Sequence, residues 1–186
     1  MNKTNLVNYL KQNHTFKSMK LMNMKLPFTD SQHEGMKKIR WLPIIDMSNH
    51  GDFFGITETG MWAVTSSEGL KPVDNQDRFI GVICILEHPF DVIEKQLKNF
   101  TCDKDMCLTE YFPFVETVKY GLELEREHWT NLALDWYESF DEKQKIQLNN
   151  LLPKLLKSKS LSQNTRHRVK KILKEVNFGN IEYFRK

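Results

Sequence analysis

The residues best suited to catalysis are a histidine and an aspartate separated by one glycine, in the segment Asn49-His50-Gly51-Asp52. A loop histidine beside a carboxylate could act as a general base that the acid holds in place, as in a hydrolase. Turns also favour Asn, Gly and Asp for conformational reasons, and we prefer that interpretation. Because no nucleophile can be assigned to His50 and Asp52, a hydrolase is only a third alternative.

Three cysteines, Cys84, Cys102 and Cys107, could bind a metal or form a disulfide. Cys84 lies in an apolar run and is typical of a buried small side chain. Four residues separate Cys102 from Cys107, which is longer than a zinc-binding Cys-x-x-Cys, and no second pair of ligands follows. An odd number of cysteines predicts free thiols in a reducing compartment. We therefore expect a cytoplasmic protein without a bound metal.

Other motifs of catalysis or cofactor binding are missing from the sequence. It has neither a glycine-rich phosphate loop nor a Gly-x-Ser-x-Gly or His-Glu-x-x-His motif. No apolar run is long enough for a transmembrane helix, and the N-terminus lacks the apolar core of a signal peptide. We expect a protein that is not an enzyme, with no cofactor, no small-molecule substrate and no membrane partner.

Charge is sorted along the chain although the net charge is only +3. Residues 101–142 contain eleven acids and three bases, a local net charge of −8, whereas residues 154–174 contain eight bases and no acid. Fields of one sign over a patch govern association and the choice of partner. The pattern is more typical of a binding protein than of an enzyme.

The acidic segment is the first candidate for a partner-binding surface, because its carboxylates alternate with aromatic side chains. Aromatic rings serve as anchors in interfaces, and carboxylates steer a basic partner. The alternative is that the acids form only the solvated side of a helix. The candidate residues are Glu110, Tyr111, Phe112, Glu116, Glu123, Glu125 and Glu127.

The basic segment supports an alternative function, a nucleic-acid-binding module that uses a helix over residues 163–176. Basic side chains on one helix can bind phosphates without sequence specificity. The same segment could also be a solvated face, or could pair with the acidic helix inside the fold. The residues of this basic patch are Arg166, Arg168, Lys170, Lys171 and Lys174.

The predicted helices and strands that would position these residues indicate an α+β fold. It consists of a mixed α/β part with a small β-sheet, followed by about three amphipathic helices. Segments 52–56 and 61–65 flank Thr57-Glu58-Thr59-Gly60, which predicts a β-hairpin. A second strand over 39–45 should be limited by Pro43. The apolar run 79–86 predicts the central strand of the sheet, and Pro89 should begin a helix.

The second half of the sequence has helical periodicity. Trp129 begins an apolar stripe that includes Trp136 and ends at Phe140, and both tryptophans should be buried. The leucines of 148–156 repeat the pattern, with a kink or restart at Pro153. A third stripe follows Ser162, a predicted N-cap, and should end at Gly179. We place the domain boundary at Tyr120–Gly121, giving a mixed α/β domain (1–120) and a helical segment (121–186) that packs on it or shares its core.

Two motifs in the C-terminal third resemble a known class of proteins. Trp129-x-x-Leu132-Ala133-x-x-Trp136 and Ser162-Gln163-x-x-Arg166-His167-Arg168 resemble the helical ends of bacterial immunity proteins encoded beside polymorphic toxins, including those of contact-dependent growth inhibition. The resemblance implies a protein that binds one cognate toxin domain and has no catalytic residues to transfer. Inhibitors of nucleases are often acidic, whereas this chain has a pI of 8.6. The activity of the toxin therefore stays open.

Overall fold

The computed structural model describes residues 7–8, 20–25, 36–47, 52–67, 69–73, 82–100 and 107–183. The chain forms two compact units, Met1–Phe112 and Pro113–Lys186. Strands occupy the first unit and helices dominate the second, which confirms the predicted α+β class. The predicted boundary at Tyr120–Gly121 lies within a helix of the second unit.

Five strands of the first unit form a small closed barrel. They are β1 (Lys20–Lys25), β2 (Met36–Asp46), β3 (Phe53–Thr57), β4 (Trp62–Ser66) and β5 (Gly69–Pro72). Each strand is antiparallel to the next. An odd number of strands in such a meander leaves the first and last pointing the same way. The barrel therefore closes through a parallel pairing, Met24 with Leu70.

The predicted hairpin is confirmed by β3 and β4. Gly60 ends the turn with φ 73°, a conformation that glycine adopts without steric cost. Pro43 does not limit β2, which continues to Asp46 with a shift of register between Pro43 and Ile45. Proline cannot donate to the ladder, so the irregularity there is physically expected.

The prediction of a central strand over 79–86 is wrong. Ile83–Glu87 forms a 3₁₀ helix, and residues 79–81 lie outside the described ranges. Its apolar residues are nevertheless buried, with Ile85 fully inaccessible. A short apolar run does not distinguish a strand from a buried helical turn, which explains the error. The helix expected after Pro89 is confirmed as α1 (Phe90–Phe100), which buries Ile93 and Leu97.

The second unit contains five helices in its described part. They are α2 (Phe114–Glu123), α3 (Glu127–Ser139), α4 (Glu142–Ile146), α5 (Leu152–Leu155) and α6 (Gln163–Tyr183). The predicted stripe lies on α3, where Trp136 is 1% exposed and its ring lies 5.9 Å from that of Phe114. Trp129 is only partly buried.

The structure shows how Pro153 and Gly179 affect the boundaries of two helices. Pro153 lies in the first turn of α5, so the segment restarts there as predicted. Gly179 does not end α6, which continues to Tyr183. Glycine within a helix costs only about 1 kcal/mol relative to alanine and does not by itself end one.

Candidate partner-binding surface

Helix α2 has one buried side and one side that faces solvent. Its buried residues recur at helical spacing: Phe114, Thr117, Val118, Gly121 and Leu122. The opposite side carries Glu116, Tyr120 and Glu123, at positions i, i+4 and i+7. Both glutamates are exposed, and the tyrosine between them is partly buried. An aromatic ring is thus flanked by two carboxylates.

The second residue after α2 has an unusual backbone conformation. Glu125 has φ 49°, the only positive φ of a non-glycine residue among the described residues. Its N–H donates to the Leu122 carbonyl (3.2 Å), and its own carbonyl accepts a hydrogen bond from the Ser160 hydroxyl. Glycine takes this left-handed conformation at no steric cost, whereas other L-residues lose roughly 1–2 kcal/mol. The chain therefore keeps a glutamate where glycine would be more stable.

Within the described residues, the carboxylates of Glu116 and Glu125 have no hydrogen-bond or ion-pair partner. Glu123 forms an i,i+4 pair with Lys119 at 3.8 Å. We use the name α2 acidic face for Glu116, Tyr120 and Glu123 on the helix together with Glu125, two residues beyond its end. It combines three carboxylates with one aromatic side chain, and Lys119 at its edge balances part of the negative charge.

Glu127 is also acidic, but its carboxylate is engaged within the protein. Its Oε2 accepts from the Ser162 backbone N–H (2.7 Å), and its Oε1 accepts from the Ser162 and Thr165 hydroxyls. These hydrogen bonds, that from Thr165 first, lower the pKa of Glu127 to about 2. The side chain therefore serves as a cap at the N-terminus of α6, where a negative charge is favourable.

The predicted N-cap role of Ser162 is confirmed in the same place. Its hydroxyl oxygen accepts a hydrogen bond from the Thr165 backbone N–H at 3.2 Å. Ser162 thus satisfies one donor of the first turn of α6 while donating to Glu127.

Two arginines of the predicted basic patch hold the helical unit together. The Arg168 guanidinium donates to Glu138 (3.0 Å) and Asp135 (2.6 Å). Burial lowers the pKa of Arg168, but the two carboxylates outweigh that effect and raise it overall. Arg166 donates to the carbonyls of Ser158 and Leu161. Arg168 therefore pairs with the acidic helix inside the fold, which is one of the alternatives for the basic segment.

The lysines of the basic patch face solvent, unlike its arginines. Lys170, Lys171 and Lys174 are exposed, as is His167. The buried residues of α6, including Val169 and Ile172, lie on the opposite side of the helix. We call His167, Lys170, Lys171 and Lys174 the α6 basic face.

The remaining acidic candidates lie in the first unit. Glu110 is exposed at the end of a 3₁₀ helix, Leu108–Glu110. The Tyr111 carbonyl accepts a hydrogen bond from Trp62 Nε1 at 2.9 Å. Phe112 is 5% exposed and packs edge-on against Phe54 and Trp62, each at 5.4 Å. Phe112 is therefore a core residue, which corrects its assignment to a partner-binding surface.

The residues considered for catalysis and metal binding are only partly described. Asp52 is exposed, whereas His50 and Cys102 lie outside the described ranges. Cys84 and Cys107 are free thiols, and burial raises the pKa of Cys84. In the described ranges, no group of three His, Cys, Asp or Glu side chains could hold a metal ion. Among the helices the structure describes, none is both long and apolar enough to cross a membrane.

Sequence reasoning missed two features of this surface. Pro113 and the β-branched residues that follow it do not favour a helix, so the sequence pattern did not predict that Glu116, Tyr120 and Glu123 share one side of α2. The left-handed conformation of Glu125 has no signal in the residue type, since glutamate rarely adopts it.

The chain was compared with protein families, curated proteins and solved structures, and none of them matches it.

Proposed function

We propose that this protein is an immunity protein, a cytoplasmic inhibitor that binds and neutralises a cognate bacterial toxin domain through the α2 acidic face. It acts by binding and not by catalysis. The observation that carries the proposal is Glu125, a glutamate in a left-handed conformation whose carboxylate has no partner among the described residues. Strained residues of this kind cluster at functional sites, where the surrounding structure holds them in the unfavourable conformation.

The chemistry of the α2 acidic face suits a basic protein partner. Tyr120 offers a ring with a polar tip, the type of side chain that anchors interfaces. The exposed carboxylates around it would accelerate encounter with a positively charged surface and reject an acidic one. Free thiols at Cys84 and Cys107 support a reducing compartment, the cytoplasm.

Association kinetics with the cognate toxin test this proposal. The double variant Glu116→Lys/Glu125→Lys should slow association about tenfold or more at low salt, with a smaller effect at high salt because of screening. Its stability should change little, because neither carboxylate has an ion-pair partner among the described residues and charges near the surface contribute only about 0–1 kcal/mol each.

A matched control reverses two exposed carboxylates elsewhere in the same unit, Glu142 and Glu175, whose side chains are 87% and 67% exposed. Glu142→Lys/Glu175→Lys has the same net charge as the test variant and should associate at close to the wild-type rate. Equal slowing by both variants would show that the association rate depends on the net charge of the protein and not on the α2 acidic face. No slowing by either would remove α2 from the interface.

A further inference from the structure

The α6 basic face has a composition that restricts what it can bind. The helix buries Thr165, Val169 and Ile172 and presents His167, Lys170, Lys171 and Lys174 on the opposite side. From 167 to 174 the helix rises about 10 Å. Glu175 lies 4.0 Å from Lys171, and no acid occurs between residues 154 and 174.

The segment before α6 adds positive charge in a fixed conformation. Lys154, Lys157 and Lys159 are all exposed there. Arg166 fixes this segment to the start of α6 through the carbonyls of Ser158 (3.0 Å) and Leu161 (2.6 Å). Six exposed lysines therefore belong to one ordered part of the unit.

The arginines, by contrast, are engaged in the fold. All three guanidinium nitrogens of Arg168 donate within the fold, so this side chain is not available for bidentate recognition of a base. The Nη1 group of Arg166 is held by two backbone carbonyls. This face has no Phe, Tyr or Trp between Gln163 and Glu175, and the His167 imidazole is its single ring. Stacking of successive single-stranded bases, which needs several aromatic rings, is therefore not supported. What the face offers is a row of lysine point charges.

We infer that the α6 basic face binds the phosphate backbone of duplex nucleic acid without reading its sequence. Lysine ammonium groups neutralise phosphates and release counterions, which supplies non-specific affinity. The inference is independent of the toxin partner, because it uses a different surface of the helical unit and a ligand of opposite charge.

Binding of the full-length protein to a labelled mixed-sequence DNA duplex of about 20 base pairs tests the inference. If the three lysines of the face each contact a phosphate, affinity should fall about 20-fold between about 50 and 150 mM salt. The variant Lys170→Gln/Lys174→Gln should weaken binding about tenfold or more at the lower salt and reduce the salt slope by about two. A second duplex of unrelated sequence should bind equally well.

The control removes two exposed lysines elsewhere, Lys95 and Lys143. Lys95→Gln/Lys143→Gln has the same net charge as the test variant and should bind the duplex like wild type. Both variants should melt like wild type, because the lysines replaced are exposed.

Three outcomes would overturn the inference. The first is no duplex binding by wild type at low salt, and the second is equal loss of binding in the test and control variants. The third is binding of a poly-glutamate peptide in place of the duplex, lost in Lys170→Gln/Lys174→Gln, which would assign the face to an acidic protein. The variant Glu116→Lys/Glu125→Lys should retain duplex binding. Failure of the duplex-binding inference can therefore be distinguished from failure of the inhibitor proposal.

Discussion

The Glu127 carboxylate accepts a hydrogen bond of 2.7 Å from the backbone N–H of Ser162, 35 residues later in the chain. The first turn of α3 thus supplies the cap for the first turn of α6. The same helix pair is bridged again where Arg168 donates to Asp135 and Glu138. Arg168 and three carboxylates of the acidic segment, Glu127, Asp135 and Glu138, therefore join α3 to α6.

Replacement of Glu127 by alanine should lower the free energy of unfolding by about 1 kcal/mol, the usual effect of losing a helix cap. The pKa of Glu127 is lowered from 4.5 to about 2, so its contribution is complete above pH 4.5 and is lost as the pH falls towards 2. Urea unfolding of both proteins at several pH values should show a difference that shrinks over that window. Glu116→Ala, at an exposed site, should show no such difference, and a pH-independent gap for Glu127→Ala would contradict the capping role.

Trp136→Ala should destabilise the protein by roughly 3–5 kcal/mol, since it empties a large buried site beside Phe114. Trp129→Ala should cost less, because that ring is only partly buried. Thermal and urea unfolding measure both changes. A Trp136→Ala protein that melts like wild type but no longer binds its partner would make this side chain an interface anchor.

Gly55→Ala should destabilise the barrel by about 1–3 kcal/mol through overpacking. A Cβ at this position would lie 2.1 Å from the Leu42 carbonyl oxygen and 2.7 Å from the Trp41 ring, so the backbone of β2 would have to move. Gly60→Asn provides a comparison, because asparagine tolerates the left-handed conformation of the turn and should cost less. Equal melting temperatures of Gly55→Ala and wild type would show that β2 moves to accommodate the added Cβ without loss of stability.

Glu125→Gly should raise the free energy of unfolding by up to about 1 kcal/mol, because glycine relieves the positive φ. The same change should slow association with the toxin, since it deletes a carboxylate of the α2 acidic face. Gain of stability together with loss of association is the combination expected of a residue kept for binding. A stabilised variant that associates at the wild-type rate would remove Glu125 from the interface.

The three cysteines should be reduced and free of metal in protein purified from the cytoplasm. Burial raises the pKa of Cys84, so a thiol reagent should modify it more slowly in the native protein than after unfolding in urea. Metal analysis should find no stoichiometric zinc. Zinc that disappears when Cys102 and Cys107 are replaced by serine would refute the prediction.

Local patterns were sufficient for several elements. The β3–β4 hairpin follows from two apolar segments around a turn that ends in Gly60, and α3 follows from the spacing of Trp129, Trp136 and Phe140. Ser162 was recognisable as an N-cap because capping depends on residues only three apart. In each case the interactions that decide the structure join neighbours in sequence.

Tertiary structure decided the rest, because the deciding contacts join distant residues. The run 79–86 is as apolar as a central strand, and only its packing makes Ile83–Glu87 a 3₁₀ helix. Glu127 and Arg168 look like surface charges in the sequence, yet Ser162 and Glu138, to which they are hydrogen-bonded, lie 35 and 30 residues away. The sequence by itself determined the α+β class and the sorting of charge. The contacts between α3 and α6 decide that Glu127, Asp135, Glu138 and Arg168 are engaged within the fold, whereas Lys170, Lys171 and Lys174 stay exposed.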